Sequence, residues 1–108
     1  MMSDKRYDSP EIQEEYLPLF DVLMSAFRQA QEGKGKERHA NVNEPFADQL
    51  ICCVERAGVG FVGGQAIKKI VESHRLPPEQ AIEELYGAIV YIAARVLILK
   101  EKISPQKG

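Results

Sequence analysis

The sequence predicts an all-α fold, a bundle of four to five helices with a long apolar helix at its C-terminal end. In several segments apolar residues recur every three or four positions, which is the period of an amphipathic helix. The segment from Pro78 to Lys102 starts like a capped surface helix and then becomes apolar on nearly every side. Such a helix is about 37 Å long at roughly 1.5 Å per residue, more than a domain of this size can bury. We therefore expect a partner surface on it.

The composition fits a single domain over residues 1–108, with frayed tails at 1–8 and 103–108 and a loop at 33–45. Hydrophobic residues make up 44% of the chain and the net charge is -2, so a modest core is expected and no positive field attracts nucleic acid or a membrane. The N-terminus lacks a secretory signal, and the run 88–99 is shorter than the roughly 20 residues that cross a bilayer. Adjacent cysteines rarely bridge, so Cys52 and Cys53 are predicted to be core residues of a cytoplasmic protein.

Two helical segments lie on either side of the loop. Ser9-Pro10-Glu11 is typical of a helix start, and Pro18 either kinks the helix or begins a second one after a short first turn. The apolar stripe runs to about residue 30 and comprises Ile12, Tyr16, Leu19, Phe20, Leu23, Met24 and Phe27.

A second helix over 46–57 is predicted to end at Gly58, with a strand over 50–54 as the alternative. Its apolar residues are Phe46, Leu50, Cys53, Val54 and Ala57.

A third helix is expected from Gln65 to His74, with Ala66, Ile67, Ile70 and Val71 forming its apolar face and Lys68, Lys69 and Glu72 pointing outward. The glycines before it match the spacing Gly58-x-Gly60-x-x-Gly63 of a dinucleotide-binding loop. That loop requires a preceding strand and a βαβ unit, whereas the flanking residues have helical spacing. We interpret the glycines as a helix-to-helix turn in which Gly63 and Gly64 allow close packing, so that Gly63→Ala lowers stability.

Basic and metal-binding residue types occur without a complete motif. Lys34, Lys36, Arg38 and His39 form a basic cluster in the loop, but no aromatic residue lies among them to stack on bases. The cluster is interpreted as a solvated loop. His39 and His74 lack a second ligand at helical spacing, and the cysteines lack the two-residue gap of a zinc knuckle, so no metal site is expected there.

Acidic residues concentrate at the start of the first and last helices, as Glu11, Glu14 and Glu15 and as Glu79, Glu83 and Glu84. Acid pairs on facing helices are an arrangement that holds Mg²⁺. The run Glu83-Glu84-Leu85-Tyr86-Gly87-Ala88-Ile89-Val90-Tyr91-Ile92-Ala93 resembles the second motif helix of the MazG-type nucleotide pyrophosphohydrolases. This resemblance implies Glu83 and Glu84 as magnesium ligands, with Lys68 or Lys69 facing phosphate. Gly87 or Ala88 stands where that family has its last metal-binding aspartate.

A second resemblance is to small helical proteins of bacteriophages and prophages. It is based on Arg38-His39, on the run Gly64-Gln65-Ala66-Ile67-Lys68-Lys69-Ile70, and on Glu84-Leu85-Tyr86-Gly87-Ala88 with Tyr91 after it. The resemblance implies a phage-related context and no activity.

The polar residues do not converge on a complete catalytic site. We therefore expect a small non-enzymatic interaction or accessory module without a cofactor, which forms a homodimer partly through Ile89, Ile92, Val96 and Leu99. Tyr91 and Arg95 are four residues apart and can stack on one helix face, in the core or at the interface. The alternative is a magnesium-dependent nucleoside triphosphate pyrophosphohydrolase of the MazG type, or a degenerate form of one.

Overall fold

The computed structural model of this protein describes residues 11–33 and 43–103. Over these ranges the chain forms four α-helices and no strand. They are α1 (Leu17–Glu32), α2 (Leu50–Ala57), α3 (Phe61–Ser73) and α4 (Pro78–Ile103). Short 3-10 turns, Glu14–Tyr16 and Phe46–Asp48, precede α1 and α2. The predicted all-α class and the long C-terminal helix are confirmed.

Several sequence expectations concern residues outside the described ranges. They are Ser9 and Pro10 of the predicted helix start, the basic cluster Lys34, Lys36, Arg38 and His39, and the tails at 1–8 and 104–108. The remainder of that predicted start is wrong, because Glu11, Ile12 and Gln13 are not helical and the first helix begins only after the 3-10 turn Glu14–Tyr16. Ile103 is the last residue of α4, so the predicted start of the C-terminal tail at this residue is wrong.

The sequence left two alternatives open at Pro18 and two at residues 50–54, and the structure shows one of them in each case. Pro18 lies in the first turn of α1, where backbone N–H groups have no partner within the helix and proline is tolerated. The 3-10 turn before it is the short first turn of the second alternative. Residues 50–54 are helical, and α2 ends at Gly58, whose left-handed φ of 77° suits glycine.

The start of α3 differs from the prediction, because the helix begins at Phe61 and includes Gly63 and Gly64. Both glycines are exposed, and a Cβ added at either would meet no atom within 4 Å. Their expected role in close packing is therefore wrong. Val62, only 1% exposed, anchors this first turn in the core, and burying it offsets the weak helix propensity of two glycines.

The hydrophobic core lies where α2, α3 and α4 meet. Half of its residues are alanine or cysteine, which lets the helices approach closely. It consists of Ile51, Cys52, Val62, Ala66, Ala88, Tyr91, Ala94 and Ile98. Helix α4 contacts each of the other three helices and packs most extensively on α3. The last helix is thus the central element of the bundle.

The buried face of α2 is not the predicted one. Ile51, Cys52 and Glu55 are buried, whereas Leu50 and Cys53 are exposed. The predicted spacing was counted from Phe46, but the 3-10 turn at Phe46–Asp48 ends before α2 begins and changes the helical phase. Burial raises the pKa of the Cys52 thiol to about 11, and neither cysteine is in a disulfide.

Helix α1 is attached to the bundle through α4 and contributes a single buried residue, Ala26. Most of its predicted apolar stripe remains in solvent. The exposed large apolar residues of this helix are Leu17, Leu19, Phe20, Val22, Leu23 and Phe27.

No single helix in the described ranges is both long and apolar enough to cross a membrane. The bent pair formed by α2 and α3 has the required length and hydropathy only when the two helices are taken together.

Candidate functional site

One of the two predicted magnesium ligands is in contact with a predicted phosphate-binding residue. The Nζ of Lys69, on α3, lies 3.2 Å from Oε1 of Glu84 on α4, and both side chains are partly buried. The same ammonium lies 5.8 Å from the centre of the Tyr91 ring. Lys69 therefore packs between α3 and α4, so the predicted outward position of this residue is wrong.

Gly87 makes room for this lysine. The residue is buried, and an added Cβ would lie 3.1 Å from both Cδ and Cε of Lys69. A glycine within a helix costs about 1 kcal/mol relative to alanine. Here the missing side chain lets the lysine cross α4 and reach Glu84, one turn earlier on the same helix.

Glu83 joins α4 to α1 rather than to α3. The Nε2 of Gln29 donates hydrogen bonds to the backbone oxygen of Glu83 at 2.9 Å and to its Oε1 at 3.1 Å. The two neighbouring glutamates thus contact different helices, and each accepts a bond from within the chain. Lys68 is exposed.

In the described ranges, no group of three histidine, cysteine, aspartate or glutamate side chains is arranged to hold a metal ion. Glu14 and Glu15 lie exposed in the 3-10 turn before α1, and Glu11 is exposed just ahead of it. What the structure does bring together is a single acid and a single base at the α3–α4 contact.

Two ion pairs that the sequence did not reveal fix α2 on α4. Nη1 of Arg95 lies 2.7 Å from Oε2 of Glu55, a carboxylate whose side chain is only 6% exposed. Arg56 binds Glu101 through two nitrogens, at 3.0 and 2.8 Å, and donates a further bond to the backbone oxygen of Ala47. This hydrogen-bonded pairing holds the pKa of Glu101 below its usual value.

Tyr91 and Arg95 have different surroundings in the structure. Tyr91 is buried in the core, with its ring edge-on to Phe61 at a centroid distance of 6.2 Å. The guanidinium of Arg95 binds Glu55 on α2. Of the two placements that the sequence allowed for Tyr91, the core is the one observed.

The predicted interface residues lie mainly on the exposed side of α4. Ile92 and Val96 are each 48% exposed and Leu99 is 39% exposed. Ile89, the fourth residue, is partly buried. The first three follow each other at spacings of four and three residues, so they form one continuous apolar stripe along the helix.

A second apolar feature is an open groove of about 540 Å³ between α1, α4 and the 3-10 turn before α2. Its walls are formed mostly by apolar side chains. Leu23 and Phe27 contribute from α1, Phe46 from the turn, and Ile89, Val90 and Ala93 from α4. Ile89 thus lines this groove and also lies beside the exposed stripe.

Comparisons with family models, with curated proteins and with solved structures gave no match for this chain.

Proposed function

We propose that this protein is a small, cytoplasmic, non-catalytic interaction module that associates with itself through α4. The observation that carries the proposal is the exposed apolar stripe of Ile92, Val96 and Leu99. These residues are adjacent on one helix face, and contiguous apolar surface of this kind marks interaction sites more often than scattered residues do. The free thiols of Cys52 and Cys53 suit a reducing compartment.

Self-association through the stripe would remove apolar surface from water. Complete burial of an aliphatic side chain contributes about 1.5 to 3 kcal/mol, and each residue of the stripe still has at least 39% of its surface in solvent. A second helix laid on the stripe would recover part of that energy from every residue on both copies. Arg95 and Lys100 flank the stripe at its edges, where charged groups can keep contact with water.

The polar contacts of the candidate acids also favour a structural role. Glu83 accepts two hydrogen bonds from Gln29, and Glu84 is paired with Lys69. These contacts connect α4 to α1 and to α3. Both acids therefore have a structural role that requires no catalytic activity. The phage-related context implied by the sequence resemblance remains part of this proposal.

Sedimentation equilibrium tests self-association. We expect the native chain to be a dimer at micromolar concentration and Val96→Lys to be a monomer, because the substitution places a charge in the stripe. Ile67→Lys is the matched control, since Ile67 is 64% exposed on α3 and lies outside the stripe. A monomeric native protein, or equal dissociation of both variants, would contradict the proposal.

A second candidate function is magnesium-dependent hydrolysis of nucleoside triphosphates. The contact between Lys69 and Glu84 favours it, because a phosphate-binding group and a metal ligand of the MazG-type resemblance are then neighbours. Mg²⁺ held by Glu83 and Glu84 would require the bonds to Gln29 and Lys69 to open. Lys69 would then be free to approach the phosphate.

Thermal unfolding with and without Mg²⁺ and a mixture of nucleoside triphosphates tests this second candidate. A ligand at about 100 times its dissociation constant adds roughly 2.7 kcal/mol of stability. The candidate predicts a magnesium-dependent rise of Tm that Glu84→Gln abolishes and Glu72→Gln retains, since Glu72 pairs with Arg75 at the far end of α3. Absence of any rise would eliminate it and leave self-association untouched.

A further inference from the structure

Helix α4 carries an uninterrupted heptad repeat that extends the exposed stripe over the whole helix. With Ile82 at position a, the a positions are Ile82, Ile89, Val96 and Ile103. The d positions are Leu85, Ile92 and Leu99. Every one of these except Ile89 is an exposed residue. An a/d repeat is the pattern by which helices supercoil around one another.

The core of the chain uses other positions of the same helix. The buried residues of α4 are Gly87, Ala88, Tyr91, Ala94 and Ile98, which occupy positions c, f and g. Apart from Ile89, which lines the groove beside α1, the a and d residues lie outside the contacts that form this core. A second helix can pack on them without opening the core.

Charge is distributed unequally along α4. Up to residue 90 the helix has three acids, Glu79, Glu83 and Glu84, and no base. From residue 91 it has Arg95, Lys100 and Lys102, and one acid, Glu101, which Arg56 already binds. In a parallel pair, Lys100 at position e would face Arg95 at position g of the second copy. An antiparallel pair places the acidic end beside the basic end.

We propose that α4 pairs with α4 of a second copy in antiparallel orientation, with Pro78 of one helix opposite Ile103 of the other. Ile82 then packs on Leu99 of the second copy, Leu85 on Val96, and Ile89 on Ile92. The helices overlap over their full length, so each a residue of the overlap meets a d position. This inference rests on the proposed self-association and adds its orientation and register.

The flanking positions fit the same register. Glu79 and Lys100 both occupy position e and meet at each end of the pair, which gives two ion pairs related by the two-fold axis. The other flanking residues of the first half of the helix include Ala81 and Ala88 at position g, and small residues there let the helices approach closely. Lys102 lies beside Ala81 of the second copy and makes no ion pair.

Disulfide trapping distinguishes the orientations. The background is Cys53→Ser, which removes the exposed thiol and leaves the buried one at Cys52. Chains with Ile82→Cys are mixed with chains with Leu99→Cys and oxidised with oxidised glutathione. The register predicts a disulfide between the two variants and none between two Leu99→Cys chains.

The outcomes separate the register from self-association itself. Cross-linking of Leu99→Cys chains with each other would overturn the antiparallel arrangement. A dimer in sedimentation that forms no disulfide between positions 82 and 99 would overturn the register alone. A monomer in sedimentation would overturn both the register and the proposed function.

Charge reversal gives an independent readout in the native cysteine background. Lys100→Glu should raise the dimer dissociation constant about tenfold, because both ion pairs become repulsive. Adding Glu79→Lys should restore it. Lys102→Glu is the matched control, with the same charge change in the same turn opposite Ala81, and should have little effect. A tighter or unchanged dimer for Lys100→Glu overturns the antiparallel pairing, because a parallel pair would lose the repulsion from Arg95.

Discussion

Among the described residues, Glu55 is the one charged residue that is buried. A buried carboxylate is tolerated only when a partner replaces the water that it loses. Arg95 supplies that partner at 2.7 Å while keeping about half of its own side chain in solvent. Loss of this arginine would therefore destabilise the fold mainly because the buried carboxylate of Glu55 would have no partner.

We expect Arg95→Ala to lower the free energy of unfolding by about 1 to 3 kcal/mol, because it leaves a buried acceptor without its donor. The matched control is Arg75→Ala, which removes an arginine that is 70% exposed and pairs with Glu72 one turn away. Its loss should be below about 0.5 kcal/mol. Urea denaturation of both variants measures the difference, and equal losses would mean that burial of Glu55 does not matter.

Lys69 shows how one residue combines several contacts. Its ammonium binds Glu84 and lies near the Tyr91 ring, and its aliphatic chain passes over the position where Gly87 has no side chain. This arrangement connects the second half of α3 to the first half of α4. The same contact unites the two residue types on which the second candidate function depends.

At the level of the helices, α3 and the turn before it contain two glycines that differ in whether the backbone conformation requires glycine. Gly58 has a φ of 77°, which side-chain-bearing residues rarely adopt, and ends α2. Gly64 lies inside α3 with nothing within 4 Å of an added Cβ. The first glycine is required by the backbone and the second is not.

We expect Gly64→Ala to raise the free energy of unfolding by about 0.5 to 1 kcal/mol, because alanine restricts the unfolded chain and favours the helix. Gly58→Ala, the same chemical change, should lower it by about 1 kcal/mol, because the left-handed conformation strains a Cβ. Thermal unfolding of the two variants side by side measures both. Destabilisation by Gly64→Ala would show that this position packs against something.

At the scale of the molecule, the apolar residues of the described ranges are divided unevenly between the core and the surface. The core relies on small side chains such as Cys52, Ala66, Ala88 and Ala94, whereas large ones such as Phe27 on α1 and Ile92 on α4 remain exposed. A small helical chain buries a limited fraction of its surface by itself. This division is typical of a chain that completes its hydrophobic burial in an assembly, as the proposed function requires.

The sequence by itself determined that the chain is helical and where some of its helices are bounded. Gly58 and Pro78 mark boundaries through constraints on their own backbones, and apolar residues at helical spacing identify the segments between such boundaries. These effects operate over a few residues, so they can be derived without knowing the fold. The start of α3 was misplaced because burial of Val62, a tertiary effect, extended the helix through two glycines.

Only the tertiary structure decided which side of each helix faces inward. The burial of Cys52 rather than Cys53, the inward position of Lys69, and the pairing of Glu55 with Arg95 all depend on how helices rotate against each other. Glu55 and Arg95 are 40 residues apart, and no local pattern relates them. Amphipathic spacing predicts that a face exists, but the packing of α2 and α3 on α4 determines which face is buried and leaves the heptad stripe in solvent.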